Sequence, residues 1–144
     1  MKYKGDRRDR HWIENKARNL RRGEWIGVDL DGTLAEYDGW QGASHIGDPI
    51  EGTVKLVRGW LEMGLDVRIL TARVTHPAAE KERIRDYVEA WCLQHLGKRL
   101  PVTGVKGWQC AFFLDDRAIQ VVPDTGELVW DLVDGLERLP GATS

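Results

Sequence analysis

Residues that could handle a charged substrate follow three short apolar stretches of the chain. Residues 29–34 (DLDGTL) follow the first stretch, residues 71–73 (TAR) the second, and residues 115–117 (DDR) the third. Carboxylates gathered in one place repel one another, and a hard divalent cation with oxygen ligands is the usual compensation. Because a site with few carboxylates that keeps its waters suits Mg²⁺, the pattern predicts a magnesium site that handles an anion.

The first of these segments holds two carboxylates, Asp29 and Asp31. If the chain turns at Gly32, both side chains can face the same cleft. One carboxylate can then attack as a nucleophile while the other delivers or removes a proton, and the local environment decides which does which. A threonine hydroxyl and a lysine ammonium would bind the non-reacting phosphoryl oxygens, which makes Thr71 and Lys106 candidates.

Several basic residues compete for the anion-binding role. Lys106 is the best-placed lysine, because it lies shortly before the third apolar stretch. Lys81, on the polar face of a predicted helix, and Lys98, in a connecting loop, are weaker candidates. Arg73 and Arg117, which follow the second and third stretches, could bind the anion or could be structural partners of the aspartates.

The elements that must position these residues alternate between strands and helices. Apolar runs predict buried strands at 25–29, 67–71 and 111–114, and a further short strand at 119–122. Apolar residues at helical spacing predict helices at 9–22, at about 51–63, at 77–96 and over 128–139.

Strands separated by helices of this size predict right-handed βαβ units. The expected fold is therefore α/β: a Rossmann-like three-layer sandwich with a mainly parallel central sheet covered on both faces. In such sheets ligands bind beyond the carboxyl ends of the strands. These ends carry the aspartates, the threonine and the arginines, so the fold would bring them to one edge.

The ordered motifs resemble those of the haloacid dehalogenase (HAD) superfamily, most of whose members are phosphatases. The resemblance rests on DLDGTL at 29–34, Thr71, Lys106 and the aspartate pair 115–116, and it spans residues 29 to 116. It implies that Asp29 is the nucleophile that forms an aspartyl-phosphate and that Asp31 is the general acid/base. Thr71 and Lys106 would hold the phosphoryl group.

The same resemblance implies a metal site and its neighbours. Mg²⁺ would be bound by Asp29, by the backbone carbonyl of Asp31, and by Asp115, Asp116 or both. The remaining candidates for phosphate or substrate binding flank these motifs, namely Ala72, Arg73 and Arg117.

The spacing of the motifs leaves no room for a folded cap domain over the site. Thirty-nine residues separate Asp31 from Thr71, and thirty-four separate Thr71 from Lys106. The predicted helices and strands use most of both intervals, and only a short flap, residues 35–49, is left over. A capless HAD protein has an open site, which either admits a large substrate or is covered by a second subunit of a homo-oligomer.

One local similarity bears on the substrate. Residues 114–122 (LDDRAIQVV) are similar to the fourth motif of the 3′-phosphatase domain in phage-type polynucleotide kinases, and Arg73 also fits that domain's second motif. A phosphorylated nucleotide or nucleic-acid 3′ end is therefore the favoured substrate, and Tyr37 and Trp40 in the flap could stack on a base. The alternatives are a phosphatase of small metabolites and an idle accessory module that binds phosphate or nucleic acid.

Length and composition bound the remaining possibilities. The 144 residues fit one domain, expected here as a basic arm at 1–24 and a catalytic domain at 25–144. No apolar run approaches the roughly 18 residues of a membrane span. Two cysteines are too few for a disulfide framework, so the cytoplasm is the expected location.

The small net charge of −2 hides an asymmetry. Residues 1–24 carry nine basic and four acidic side chains, whereas the rest carries twelve basic and nineteen acidic ones. Part of the negative charge of residues 25–144 comes from the carboxylates of the predicted metal site. The basic arm is either a solvated tail, a helix that packs on the body, or a contact for a polyanion.

Overall fold

The structure is a computed structural model that describes residues 10–75 and 77–129. The chain forms two compact units. The larger one, the sheet unit, comprises Asn19–Asp116, and the second comprises Met1–Arg18 with Arg117–Ser144. The predicted boundary at residue 24 between arm and domain stays a prediction.

The sheet unit is built on four parallel strands. They are β1 (Trp25–Val28), β2 (Val67–Leu70), β3 (Val102–Thr103) and β4 (Cys110–Leu114). Their order across the sheet is β3-β2-β1-β4. The predicted α/β class with a mainly parallel sheet is therefore confirmed.

Two helices of the sheet unit connect its first three strands and pack against each other. Helix α2 spans Glu51–Glu62 and helix α3 spans Ala78–Leu96, as the apolar spacing predicted to within one residue. Each connects two neighbouring parallel strands in the same direction across the sheet, so right-handed crossovers place both helices on one face. The prediction of a third layer, on the other face, stays a prediction.

The core lies between this helical layer and the sheet. Val54, Val57 and Trp60 of α2 are buried, and the Trp60 ring meets the edge of Phe112 on β4 with centroids 5.7 Å apart. Each such fully buried side chain contributes about 1.5–3 kcal/mol to folding. The packing of α2 on this face holds the strands in place, so the distances between their carboxyl ends are fixed.

The other face of the sheet carries Gly27, which pairs in register with Arg68 on β2 and Phe113 on β4. A Cβ atom on Gly27 would lie 3.1 Å from the Phe113 Cβ and 3.2 Å from the Trp25 ring. Glycine therefore lets these large side chains close over β1. The connection from β3 to β4 runs beside this face, because the Lys106 Nζ lies 5.2 Å from the centre of the Phe113 ring.

Two sequence predictions differ from the structure, and one strand was not predicted. Residues 119–122 were expected to form a strand, and this is wrong, because the described part of the chain shows only an isolated bridge there, between Val121 and Leu128. The turn between them passes through Asp124 at φ +65°, so the segment folds back on itself. β3 was missed, and the helix predicted at 9–22 is the shorter α1, Arg10–Arg18.

The predicted closing helix over 128–139 lies, except for its first two residues, outside the described residues. Among the described helices, none is long and apolar enough to cross a membrane.

Candidate active site

The site lies where the strand order reverses, between β1 and β4. In open parallel sheets this switch point leaves a crevice beyond the carboxyl ends of the strands, where ligands bind. Asp29 follows β1, and its backbone N–H donates to the Leu114 carbonyl at 2.9 Å, which continues the ladder by one bond. This bond holds the two acidic segments side by side.

Three carboxylates meet in this crevice. One oxygen each of Asp29, Asp115 and Asp116, here called the carboxylate triangle, lies within 4.8 Å of the others. The three residues come from two strand ends, as the sequence predicted. An all-oxygen set of anionic ligands at this separation fits Mg²⁺, which binds through a few carboxylates and keeps several waters.

Thr33 links the two sides of the carboxylate triangle. Its hydroxyl accepts the backbone N–H of Asp116 at 3.0 Å and lies 3.0 Å from the Asp116 Oδ1 and 3.4 Å from the Asp29 Oδ2. A hydroxyl has one proton to donate, so it serves one of these carboxylates at a time. The role of Thr33 was not predicted, although its place directly after Gly32 in the DLDGTL run was a usable signal.

Gly32 makes the tight turn that carries the chain from Asp29 past Asp116. Its φ is +87°, a left-handed conformation that favours glycine. A Cβ atom at this position would lie 2.5 Å from the Asp116 Oδ2 and 2.8 Å from its Cγ. Position 32 therefore requires glycine for two reasons: its left-handed backbone angle, and the close approach of Asp116, a candidate metal ligand.

Replacing Gly32 by alanine is expected to weaken Mg²⁺ binding at least tenfold, because the added methyl group displaces the Asp116 carboxylate. The left-handed backbone adds about 1–2 kcal/mol of strain. Gly64→Ala is the matched control, since Gly64 has φ +77° and an added Cβ there would meet nothing within 4 Å. Calorimetric Mg²⁺ titration of both variants separates displacement of Asp116 from backbone strain. If Gly64→Ala loses as much Mg²⁺ affinity as Gly32→Ala, the contact with Asp116 is not the cause.

The carboxylate triangle changes the acidity of Asp29. Burial, a hydrogen bond with the Asp116 side chain and the negative charge of Asp115 raise the pKa of Asp29 from 3.8 to about 7. Each of these causes penalises the ionised form. A divalent cation among the three carboxylates would reverse the penalty, because its charge favours the carboxylate.

Asp31 is not part of the carboxylate triangle and pairs with Arg73. The guanidinium donates to both carboxylate oxygens, from Nε to Oδ2 at 2.7 Å and from Nη2 to Oδ1 at 2.8 Å. The Arg73 side chain is 5% exposed and that of Asp31 19% exposed, so the pair is largely shielded from water. The two carboxylates of the first motif therefore have different partners.

Thr71 and Ala72 follow β2 at the same edge of the sheet. The Thr71 backbone N–H donates to the Thr103 carbonyl of β3 at 2.9 Å, and its buried hydroxyl accepts the backbone N–H of Arg73 at 3.2 Å. Ala72 begins a short 3₁₀ helix, Ala72–Thr75, which turns the chain and brings Arg73 towards Asp31. The predicted binding of phosphate by Thr71 and Ala72 stays a prediction.

The two remaining candidates are Lys106 and Arg117. Lys106 is exposed, and its ammonium stands over the ring of Phe113. Arg117 is exposed and belongs to the second unit. Their predicted contacts with phosphate, and the metal contact predicted for the Asp31 carbonyl, stay predictions.

Comparisons with known proteins do not identify a family for this chain. No family model, no curated protein and no solved structure matches it. The functional interpretation therefore depends on the motifs and on the geometry of the described residues.

Proposed function

We propose that the chain is a magnesium-dependent phosphomonoester hydrolase of the HAD type that acts through an aspartyl-phosphate. The observation that carries the proposal is the separation of two neighbouring carboxylates. Asp29 lies in the carboxylate triangle at the switch point, whereas Asp31 is paired with Arg73 outside it. A nucleophile beside a cation and an acid/base away from it are the two roles that the reaction requires.

The residues divide the reaction into two steps. In the first, Asp31 starts in its protonated form. An oxygen of Asp29 attacks the phosphorus, the bond to the leaving oxygen breaks, and Asp31 gives that oxygen its proton. In the second, water attacks the aspartyl-phosphate and gives a proton to Asp31, and the bond from phosphorus to Asp29 breaks. Phosphate leaves, and both side chains return to their starting state.

The carboxylate triangle would hold Mg²⁺. When bound, the ion neutralises the clustered carboxylates and stabilises negative charge on the phosphoryl group. Thr71 and Lys106 are the candidates for binding the non-reacting oxygens.

A phosphorylated nucleotide or nucleic-acid 3′ end is the substrate that we favour. The supporting observations are the similarity of residues 114–122 to a 3′-phosphatase motif and the flap at 35–49, which contains no helix or strand. Tyr37 and Trp40 of the flap are 43% and 47% exposed, so both rings present a surface on which a base could stack.

Phosphate release from phenyl phosphate, with Mg²⁺ and with a chelator, tests the proposal. We expect turnover that requires Mg²⁺, and a wild-type protein without turnover on any phosphomonoester would refute the enzyme function in favour of a binding module. A panel of 3′-phosphorylated oligonucleotides, 5′-phosphorylated oligonucleotides and mononucleotides then tests the substrate. A preference for small metabolites by orders of magnitude would exclude the nucleic-acid end.

The basic arm is expected to assist binding of a polyanionic substrate. Replacing the exposed Arg18 and Arg22 by glutamine should raise KM for an oligonucleotide by about 3- to 10-fold at low salt and little at high salt. Phenyl phosphate kinetics should not change. The control is the double variant Lys55→Gln/Arg83→Gln, which also removes two positive charges, one from α2 and one from α3. An equal rise in KM for the control would mean that net charge alone matters.

A further inference from the structure

The guanidinium of Arg73 connects the acid/base candidate to the flap. Besides its two bonds to Asp31, it donates from Nη2 to the His45 carbonyl at 3.0 Å and from Nη1 to the Ala43 carbonyl at 3.4 Å. Its central carbon lies 5.0 Å from the centre of the Trp40 ring. Four of the five guanidinium protons are therefore directed at Asp31 and the flap.

The flap is anchored independently at its base. Ala35 and Pro49 form an antiparallel bridge, and the Glu36 N–H donates to the Asp48 carbonyl at 2.8 Å. The Trp91 Nε1 of α3 donates to the Gly47 carbonyl at 3.0 Å. Arg73 thus holds the middle of the flap, and these other bonds hold its two ends.

We propose that Arg73 is a positioning residue: it orients the Asp31 carboxylate for proton transfer and ties that orientation to the position of the flap. The inference rests on the proposed function. A bidentate guanidinium fixes the plane of a carboxylate, which a single donor does not. Residues 43 and 45 accept from the same guanidinium, so a displacement of the flap disturbs the group that holds Asp31.

This role has a signature that depends on the leaving group. A strongly acidic phenol leaves without a proton, whereas phenol itself needs one from Asp31. General acid catalysis contributes about 10²–10⁴-fold, so a misplaced acid affects the poor leaving group far more. A residue that binds the transferred phosphoryl group would instead affect both esters alike, because they share that group.

The test compares kcat/KM of Arg73→Lys for phenyl phosphate and for 2,4-dinitrophenyl phosphate. This constant covers the steps up to formation of the aspartyl-phosphate, so it excludes the later hydrolysis step that both esters share. Lysine keeps the charge but not the bidentate geometry. We expect kcat/KM to fall on the order of 10²-fold for phenyl phosphate and less than about 3-fold for the dinitrophenyl ester. Both esters are assayed on one preparation, so partial misfolding of the variant cancels in the ratio.

Trp91→Phe is the matched control, because it removes a flap bond and leaves the pair of Arg73 with Asp31 in place. It should keep the wild-type ratio of the two esters. Equal losses on both esters in Arg73→Lys would overturn the positioning role. A wild type inactive on both esters would instead refute the proposed function.

Hydrogen exchange tests the tie to the flap without any turnover. In Asp31→Ala the guanidinium loses its fixed partner, so amides of residues 42–46 should exchange about tenfold faster or more than in the wild type. The path from the Asp31 side chain to this segment runs through the Arg73 guanidinium, which bonds to both. Unchanged exchange in residues 42–46 would overturn the coupling.

Discussion

Replacing Asp29 by asparagine is expected to lower kcat for every phosphomonoester on the order of 10⁴-fold or more, because an amide cannot attack phosphorus as a carboxylate does. The substitution keeps the size of the side chain and leaves Asp115 and Asp116 unaltered. It also removes the charge whose burial is unfavourable, as the raised pKa of Asp29 indicates. Thermal unfolding in chelator should therefore show a melting temperature at or above that of the wild type.

Phosphate release and unfolding measured on the same preparation separate chemistry from folding. Asp86→Asn, at an exposed position on α3, is the control for an ordinary aspartate and should keep wild-type turnover. After brief reaction with labelled substrate and quenching in acid, the label should be on the peptide that contains Asp29. Wild-type turnover in Asp29→Asn would exclude this residue as the nucleophile, and a lower melting temperature would indicate a structural role.

The parts of this site that the sequence predicted are those set by local patterns. Buried apolar runs such as Trp25–Val28 mark strands, and the residues that follow each run necessarily lie at the edge where a parallel sheet ends its strands. The apolar pattern alone therefore places Asp29 and Asp115 at the same edge of the sheet. Helices α2 and α3 were predictable for the same reason, because their buried residues recur at helical spacing.

The partners of the functional side chains were not predictable in this way. Arg73 and Asp31 are 42 positions apart, and Thr33 and Asp116 are 83 apart. Strand order brings these residues to the same edge, but only turn geometry and side-chain packing decide which atoms meet. The sequence left open whether Arg73 binds the anion or an aspartate, and the hydrogen bonds of the fold direct it to Asp31.

β3 was missed for a different physical reason. It has two residues, Val102 and Thr103, between Pro101 and Gly104. No alternation can be recognised over two positions, and its strand conformation depends on pairing with β2. The wrong strand at 119–122 is the converse case, since among the described residues this apolar run forms only the isolated bridge with Leu128.

Mg²⁺ binding is expected to become about tenfold tighter per pH unit as the pH rises towards 7, and then to level off. Below pH 7 the pKa of Asp29 keeps its carboxyl protonated in the metal-free protein, so the ion must displace a proton. Calorimetric titrations at about pH 6 in two buffers of different ionisation enthalpy should detect the release of close to one proton per ion. At about pH 8 the release should vanish.

The same raised pKa predicts how the metal-free fold responds to pH. Between the ordinary value of 3.8 and about 7, the folded state holds a proton on Asp29 that the unfolded chain has lost. Its contribution to stability is therefore complete below the lower value and is lost as the pH rises through the upper one. Melting temperatures in chelator should fall over this window relative to Asp29→Asn, which cannot titrate there, and Mg²⁺ should restore them. An Mg²⁺ affinity independent of pH would mean that Asp29 is already ionised in the metal-free protein, and that Asp115 and Asp116 are too well solvated to oppose its charge.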